Sequence, residues 1–159
     1  YMIGDTVEFP SLAPYKIKIP GRTRHFINAF GEEVIVDNAE TALQAACEAT
    51  GARIAEYTAG PVYMTGQSKG SHQWIVEFSV PPADTERFAD ELDRALQQVN
   101  SDYEAKRFKD TTLLRPTLTV APEGTFYRWM KERGKVGGQN KVPRLYNDRT
   151  YIDQLIRLL

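Results

Sequence analysis

Residues 72–99 read HQWIVEFSVPPADTERFADELDRALQQV, and this stretch decides the fold. Its first part interleaves Trp74, Ile75, Val76, Phe78 and Val80 with Gln73, Glu77 and Ser79, an aromatic and β-branched run that predicts a strand. Pro81-Pro82 ends it, because a proline nitrogen cannot donate to a ladder. Asp84 then stands where a helix cap is needed, and Phe88, Leu92, Leu96 and Val99 recur at the spacing of one buried helical stripe, so a helix is predicted over 84–99.

Working outward, residues 53–58 and 62–64 carry further strand formers, and the turn from Gly66 to Gly70 folds them back as an antiparallel hairpin onto 72–80. Upstream, Asp37 or Asn38 can cap a helix, Glu40 completes a capping-box-like pattern, and Leu43, Ala46, Cys47 and Thr50 share one face before Gly51, which predicts a helix over 38–50. Downstream, Ser101 with Glu104 opens a short helix running to about residue 109, and 116–120 offers a last strand. The order β-α-β-β-α-(α)-β predicts an α+β fold: a ferredoxin-like, split βαβ sandwich with two main helices over one face of an antiparallel sheet. A small β element precedes it, where apolar and polar residues alternate around Pro10, Pro14 and Pro20. A short helix over 125–133, docked through Phe126 and Trp129, a Gly-rich basic loop and a terminal amphipathic helix over 148–159 follow it.

At 159 residues, with 42% hydrophobic and 26% charged, the chain has the makings of one packed domain and not of a disordered tail. A formal charge of -1 excludes a global field for nucleic acid or anionic membrane, so any anion site must be local. A single cysteine, Cys47, and two histidines, His25 and His72, allow no internal disulfide and no multi-cysteine metal cluster, a composition that fits a reducing cytoplasm. Cys47, on the apolar stripe, reads as a small hydrophobe, and His72, without triad partners nearby, as a packed or exposed histidine. No apolar run approaches the roughly 20 residues of a membrane span, and no signal peptide is visible. The chain opens directly in a Gly-Asp motif, and the expectation is that the natural polypeptide continues upstream.

Four constellations can carry chemistry. Residues 131–146 gather Lys131, Arg133, Lys135, Lys141 and Arg144 against Glu132. Gly134, Gly137 and Gly138 there permit close backbone approach, so the loop either wraps an anion and delivers an ammonium to it or is a solvated connector. Arg144 either pairs with a ligand carboxylate or phosphate or pins the loop to its own domain. The Gly4-Asp5 turn places a carboxylate that can accept both hydroxyls of a ribose, or simply stabilises a turn. Gly21-Arg22-Thr23-Arg24-His25 reads as a hinge, an anion contact or an exposed basic turn, and Glu32-Glu33 as an amine contact or a solvated strand edge.

Tyr1-x-x-Gly4-Asp5, Gly21-Arg22 and Gln139-Asn140-Lys141-Val142-Pro143-Arg144 occur in the order found at the C-terminal end of adenylate-forming enzymes. With Ala13-Pro14-Tyr15, residues 21–33 and Asn100-Ser101-Asp102-Tyr103-Glu104, the chain more closely resembles the auxin-responsive Gretchen Hagen family of acyl acid amido synthetases, in its bacterial branch. The resemblance implies a mobile C-terminal lobe of a ligase that uses ATP and Mg2+ to adenylate a carboxylic acid and then passes the acyl group to an amino acid. It implies that Asp5 and Arg22 contact the nucleotide, that Lys141 is the catalytic lysine of adenylation, and that Arg24 is the hinge. Ile3 stands where the superfamily usually has Thr, which removes a hydroxyl from the pocket edge. The phosphate loop and acyl pocket belong to a missing N-terminal domain, the partner of this lobe, and the fragment alone is expected to be inactive. Residues 1–24 are expected to be a small β element and hinge, and 25–159 the mobile lobe. The competing reading is a stand-alone ferredoxin-like regulatory module that binds a small metabolite. An RNA-binding version would use Tyr57, Tyr63, Trp74 and Phe78 on an open sheet face, against the net charge.

Overall fold

The computed structural model describes residues 5–12, 14–22, 25–66, 68–137 and 140–159, of which 5–10, 12 and 15–22 are described as backbone only. β1 (Asp5–Leu12) and β2 (Tyr15–Arg22) pair antiparallel as a separate hairpin, the small β element expected. β3 (Phe26–Ile27) and β4 (Val34–Ile35) form a second, very short ladder that leads into α1 (Val36–Thr50). α1 begins two residues before the expected start. Its first turn is held by Asn38, whose side-chain oxygen accepts the Ile35 N–H at 3.2 Å, and Gly51 ends it in the left-handed conformation at φ 72°.

The main sheet holds β5 (Arg53–Val62), β6 (Ser71–Val80) and β7 (Thr117–Ala121), in that spatial order. In place of the two runs expected before the turn, 53–58 and 62–64, one strand runs unbroken to Val62 and leaves Tyr63 and Met64 outside it, and Pro61 is tolerated within it because β5 lies at the sheet edge. β5 and β6 pair antiparallel, with Tyr57 opposite Val76, Thr58 opposite Ile75 and Ala59 opposite Trp74. β6 and β7 pair parallel, from Gln73 opposite Thr117 to Glu77 opposite Ala121.

The α+β sandwich is therefore present, but its sheet is mixed and not wholly antiparallel. The reason is the connection: α2 (Thr85–Val99) and α3 (Ser101–Arg107), followed by a single 3₁₀ turn at Phe108–Asp110, carry the chain back to the starting end of β6, which a parallel neighbour requires. β6 and β7 are adjacent, so no strand splits this βαβ unit, and the short strands before α1 stay outside the sheet. Asp84 caps α2 as expected, accepting the N–H groups of Glu86 at 2.9 Å and Arg87 at 3.1 Å. The cap of α3 is Asn100, whose side chain accepts from the Tyr103 N–H at 2.8 Å.

Alternation along β6 divides the core. Trp74 and Val76 join Tyr57 and Ala59 on the face covered by α1 and α2, with Leu43, Phe88, Leu92 and Leu96 buried there. Ile75 faces the other way, into a smaller cluster with α4 (Thr125–Glu132) and α5 (Thr150–Ile156) through Phe126, Trp129, Ile152 and Leu155. Glu77 of β6 fastens α4 from the sheet: its buried carboxylate accepts the N–H groups of Gly124 at 2.8 Å and Phe126 at 3.2 Å, two donors at the positive end of the helix. α5 crosses so close to β5 that a Cβ on Gly60 would lie 3.0 Å from both the Asp148 carbonyl oxygen and Ile152. Among the described residues no helix is long and apolar enough to cross a membrane.

Candidate functional site

The basic segment after α4 is held at both ends and exposed in its middle. At its start, Gly134 adopts φ 64° and the Lys135 N–H returns to the Met130 carbonyl at 2.9 Å, a closure that ends α4. Arg133 is stacked between two rings, its guanidinium carbon 4.4 Å from the Trp129 centroid and 4.6 Å from that of Tyr151. At its far end the chain runs as a strap along the outer edge of β5. The Thr58 hydroxyl donates to the Pro143 carbonyl at 2.7 Å, the Ala59 N–H donates to the Arg144 carbonyl at 2.9 Å, and the Tyr146 N–H donates to the Ala59 carbonyl at 3.1 Å. Leu145 is fully buried there.

Arg144 resolves its two readings in favour of the anchor. It forms an ion pair with Glu56, donates to the Tyr57 carbonyl at 3.4 Å and lies 4.7 Å above the Tyr57 ring. Lys141 is different. Its side chain is exposed, and among the described residues no hydrogen bond or ion pair engages its ammonium. Val142 beside it packs against the α4–α5 cluster, so the strap presents Lys141 to solvent from the last position before its anchors.

Asp5 and Arg22 are directly opposite each other in the β1–β2 ladder, with Thr6 opposite Gly21 beside them. The fold therefore brings the two residues of the Gly-Asp and Gly-Arg motifs to one end of one hairpin. β2 approaches α1. Arg24, the expected hinge, lies outside the described residues, as do Tyr1 to Gly4 and Gln139.

Glu32 meets neither reading made for it. It is fully buried and accepts from the Phe30 N–H at 2.7 Å while one carboxylate oxygen lies 2.8 Å from Nε2 of the equally buried His72. Burial alone raises the Glu32 carboxyl, but the hydrogen bond to His72 and its charge, with backbone N–H bonds, outweigh this and hold it below the usual carboxylate value. The pair locks the β3–β4 ladder to β6. A second buried polar group, Asp93, accepts from the Tyr103 hydroxyl at 2.8 Å and from Arg107 Nε at 2.8 Å and Nη2 at 2.7 Å. Both networks are structural fastenings, and sequence reasoning missed them because their partners come from different elements.

The aromatic sheet face is closed: Trp74 and Tyr57 are core residues stacked on one another at 6.0 Å, and Phe78 packs edge-on against Phe88 at 5.2 Å. Two cavities flank the Arg144–Glu56 pair. One, of about 300 Å³, lies between α1 and β5 and is lined by Glu40, Gln44, Cys47, Ile54, Tyr57 and Arg144. The other, of about 260 Å³, lies under the loop and is lined by Glu56, Glu77, Met130, Lys135, Asn140 and Val142 among others. Cys47 is half-buried at the rim of the core, and burial pushes its thiol up, which suits a packing role.

The α+β fold has counterparts among known proteins. Residues 37–150 match the family described as GH3 family C-terminal domain, and the chain belongs to that family. A solved structure of "GH3.15 acyl acid amido synthetase" has the same fold over 98% of this chain, with a TM-score of 0.72 and 15% sequence identity. A second, "AtGH3.15 acyl acid amido synthetase in complex with 2,4-DB", aligns over 98% of the chain with a TM-score of 0.74 and 14% identity. The chain spans 29% of the length of each of those proteins. No curated protein sequence matches it.

Proposed function

We propose that this chain is the C-terminal lobe of an ATP-dependent acid–amino acid ligase, in which Lys141 acts during formation of an acyl-adenylate. The observation that carries the reading is the exposed ammonium of Lys141, unpaired among the described residues, on a strap whose next residues are fastened to β5. Attack of a carboxylate on ATP joins two anions. A lysine reaching between the carboxylate and the α-phosphate offsets that repulsion and stabilises the charge that develops, an effect of several kcal/mol in a water-poor site.

Asp5 and Arg22 suit a shared role at the nucleotide: they stand opposite each other in one ladder, and a carboxylate is a residue type that accepts ribose hydroxyls, a guanidinium one that donates to phosphate. In this reading residues 1–24 are the junction to a large N-terminal domain, Arg24 is the pivot, and residues 25–159 swing as one lobe in a cytoplasmic enzyme. The acyl pocket and most of the ATP site then lie outside this chain, which is inactive by itself. Mg2+ accompanies ATP in such chemistry. Among the described residues no group of three His, Cys, Asp or Glu side chains is arranged to hold a metal ion.

The test is pyrophosphate exchange by the upstream-extended protein across a panel of carboxylic acids. Exchange that depends on both ATP and one class of acid, and that disappears in Lys141→Ala, is the expected result. Exchange unaffected by the substitution removes the reading. One feature favours the second reading, a regulatory module for a small metabolite: the Tyr57 hydroxyl is buried without a hydrogen-bond partner, and Tyr57 lines the 300 Å³ cavity. That reading predicts that the isolated domain gains thermal stability with a particular metabolite, whereas the ligase reading predicts no such ligand.

A further inference from the structure

The strap that carries Lys141 leaves it little backbone freedom. Pro143 has a fixed φ, and Val142, as the residue before a proline, is confined to extended conformations while its side chain is packed on the α4–α5 cluster. The next carbonyl, that of Pro143, is then fixed by one group, the hydroxyl of Thr58, whose residue is completely buried on β5. Arg144 completes the fastening through Glu56 and the Tyr57 ring. Lys141 thus hangs one restricted residue away from an anchored peptide. Where its ammonium reaches is set largely by how firmly that peptide is held against the sheet edge.

We propose that Thr58 is a positioning residue for Lys141: its hydroxyl fixes the Pro143 carbonyl and so sets the direction in which the Lys141 side chain leaves the lobe, with the Glu56–Arg144 pair as the second fastening. The proposal rests on the reading that Lys141 serves adenylation. Thr58 touches no substrate and acts only through the strap. Its loss leaves the Pro143 carbonyl without its donor and loosens the peptide nearest Lys141, while the Ala59 backbone bonds and buried Leu145 still hold the strap beyond it; a displacement of about 1 Å at a reacting group can cost up to roughly a hundredfold in rate.

The experiment uses the upstream-extended protein and two assays, pyrophosphate exchange for adenylation and transfer to an amino acid from a supplied acyl-adenylate for the second half-reaction. Thr58→Val keeps the shape and the strand preference of the side chain but removes the hydroxyl. It is expected to lower the kcat of exchange about ten- to a hundredfold, with KM for ATP within about twofold and transfer unchanged. Thr58→Ser, which restores the hydroxyl, is expected to recover most of the rate. Glu56→Gln, at a half-exposed position that changes no core volume, is expected to show the same pattern at smaller size, and it decides alone if Thr58→Val does not fold.

Exchange at the normal rate in Thr58→Val, or in Glu56→Gln where that variant decides, overturns the proposal. So does an equal loss in both half-reactions that Thr58→Ser fails to repair, because that is general structural damage. Lys141→Ala separates the two levels: if it retains full exchange, the functional reading itself fails, whatever the Thr58 variants do.

Discussion

The two faces of the central sheet are built differently. On the face toward α1 and α2, Trp74, Val76, Leu43, Phe88, Leu92 and Leu96 form a continuous apolar cluster, closed at one end by the buried Asp93–Tyr103–Arg107 network. On the face toward α4 and α5 the cluster is smaller, centred on Ile75, Phe126, Trp129 and Ile152, and the β5 edge beside it carries a strap rather than another strand. The first face holds the fold together. The second holds a cation in place. Separating the tasks lets the lysine sit on a polar, solvated segment without weakening the main core, and it concentrates the adjustable contacts in a few groups: Thr58, Glu56, Arg144 and the stacked Arg133.

The largest stability effect is expected on the first face. Asp93→Ala takes the acceptor from the buried Tyr103 hydroxyl and from Nε and Nη2 of the nearly buried Arg107, which keeps only Asp110 and the Leu113 carbonyl, and the domain is expected to lose about 3–5 kcal/mol, read from denaturant unfolding. A matched pair of truncations sharpens the contrast between faces. Leu96→Ala, at a fully buried position, is expected to cost about 2–5 kcal/mol, whereas Val142→Ala, at the half-buried strap, is expected to cost about 1 kcal/mol or less. Equal costs for the two would erase the distinction.

The smallest effect is a pH dependence. Glu32 is held below its ordinary pKa in the folded state, so its contribution is fully present above the unfolded value of about 4.3 and is lost as pH falls through the lowered folded one. Thermal melts of the wild-type domain between pH 7 and pH 3 should therefore fall more steeply at the acid end than those of Glu32→Gln. Parallel curves would show that the Glu32–His72 contact contributes nothing to acid sensitivity.

Much of the first face was readable from local pattern. The stripe through Phe88, Leu92, Leu96 and Val99 predicts both the helix and its buried side; the first three are in the core, whereas Val99, in the last turn, is exposed. Asp84 announces the cap. The parallel direction of β7 was not readable, because 117–121 has the same composition whichever way it runs, and direction is settled by the path of α2 and α3.

The site divides in the same way. Lys141 and Arg144 stand out by charge and by motif, but the different fates of the two, one exposed and one clamped, depend on Glu56 and Tyr57, which lie 88 and 87 residues away from Arg144. Thr58 carries no signal of its own: a threonine in a strand is ordinary, and its partner Pro143 is 85 residues further along. Glu32 misled for a related reason. Two adjacent glutamates beside a glycine look solvated until the fold delivers His72 to one of them.

In the proposed function one ammonium, placed by the strap, serves adenylation, and not the summed charge of the basic loop. Lys135 and Lys141 are both exposed on that loop, and replacing either by alanine removes the same single charge. The deciding measurement is the single-turnover rate of acyl-adenylate formation by the upstream-extended protein carrying each substitution. A fall of about a hundredfold or more is expected for Lys141→Ala and a change within about threefold for Lys135→Ala. Similar losses in both, or a normal rate for Lys141→Ala, would contradict it.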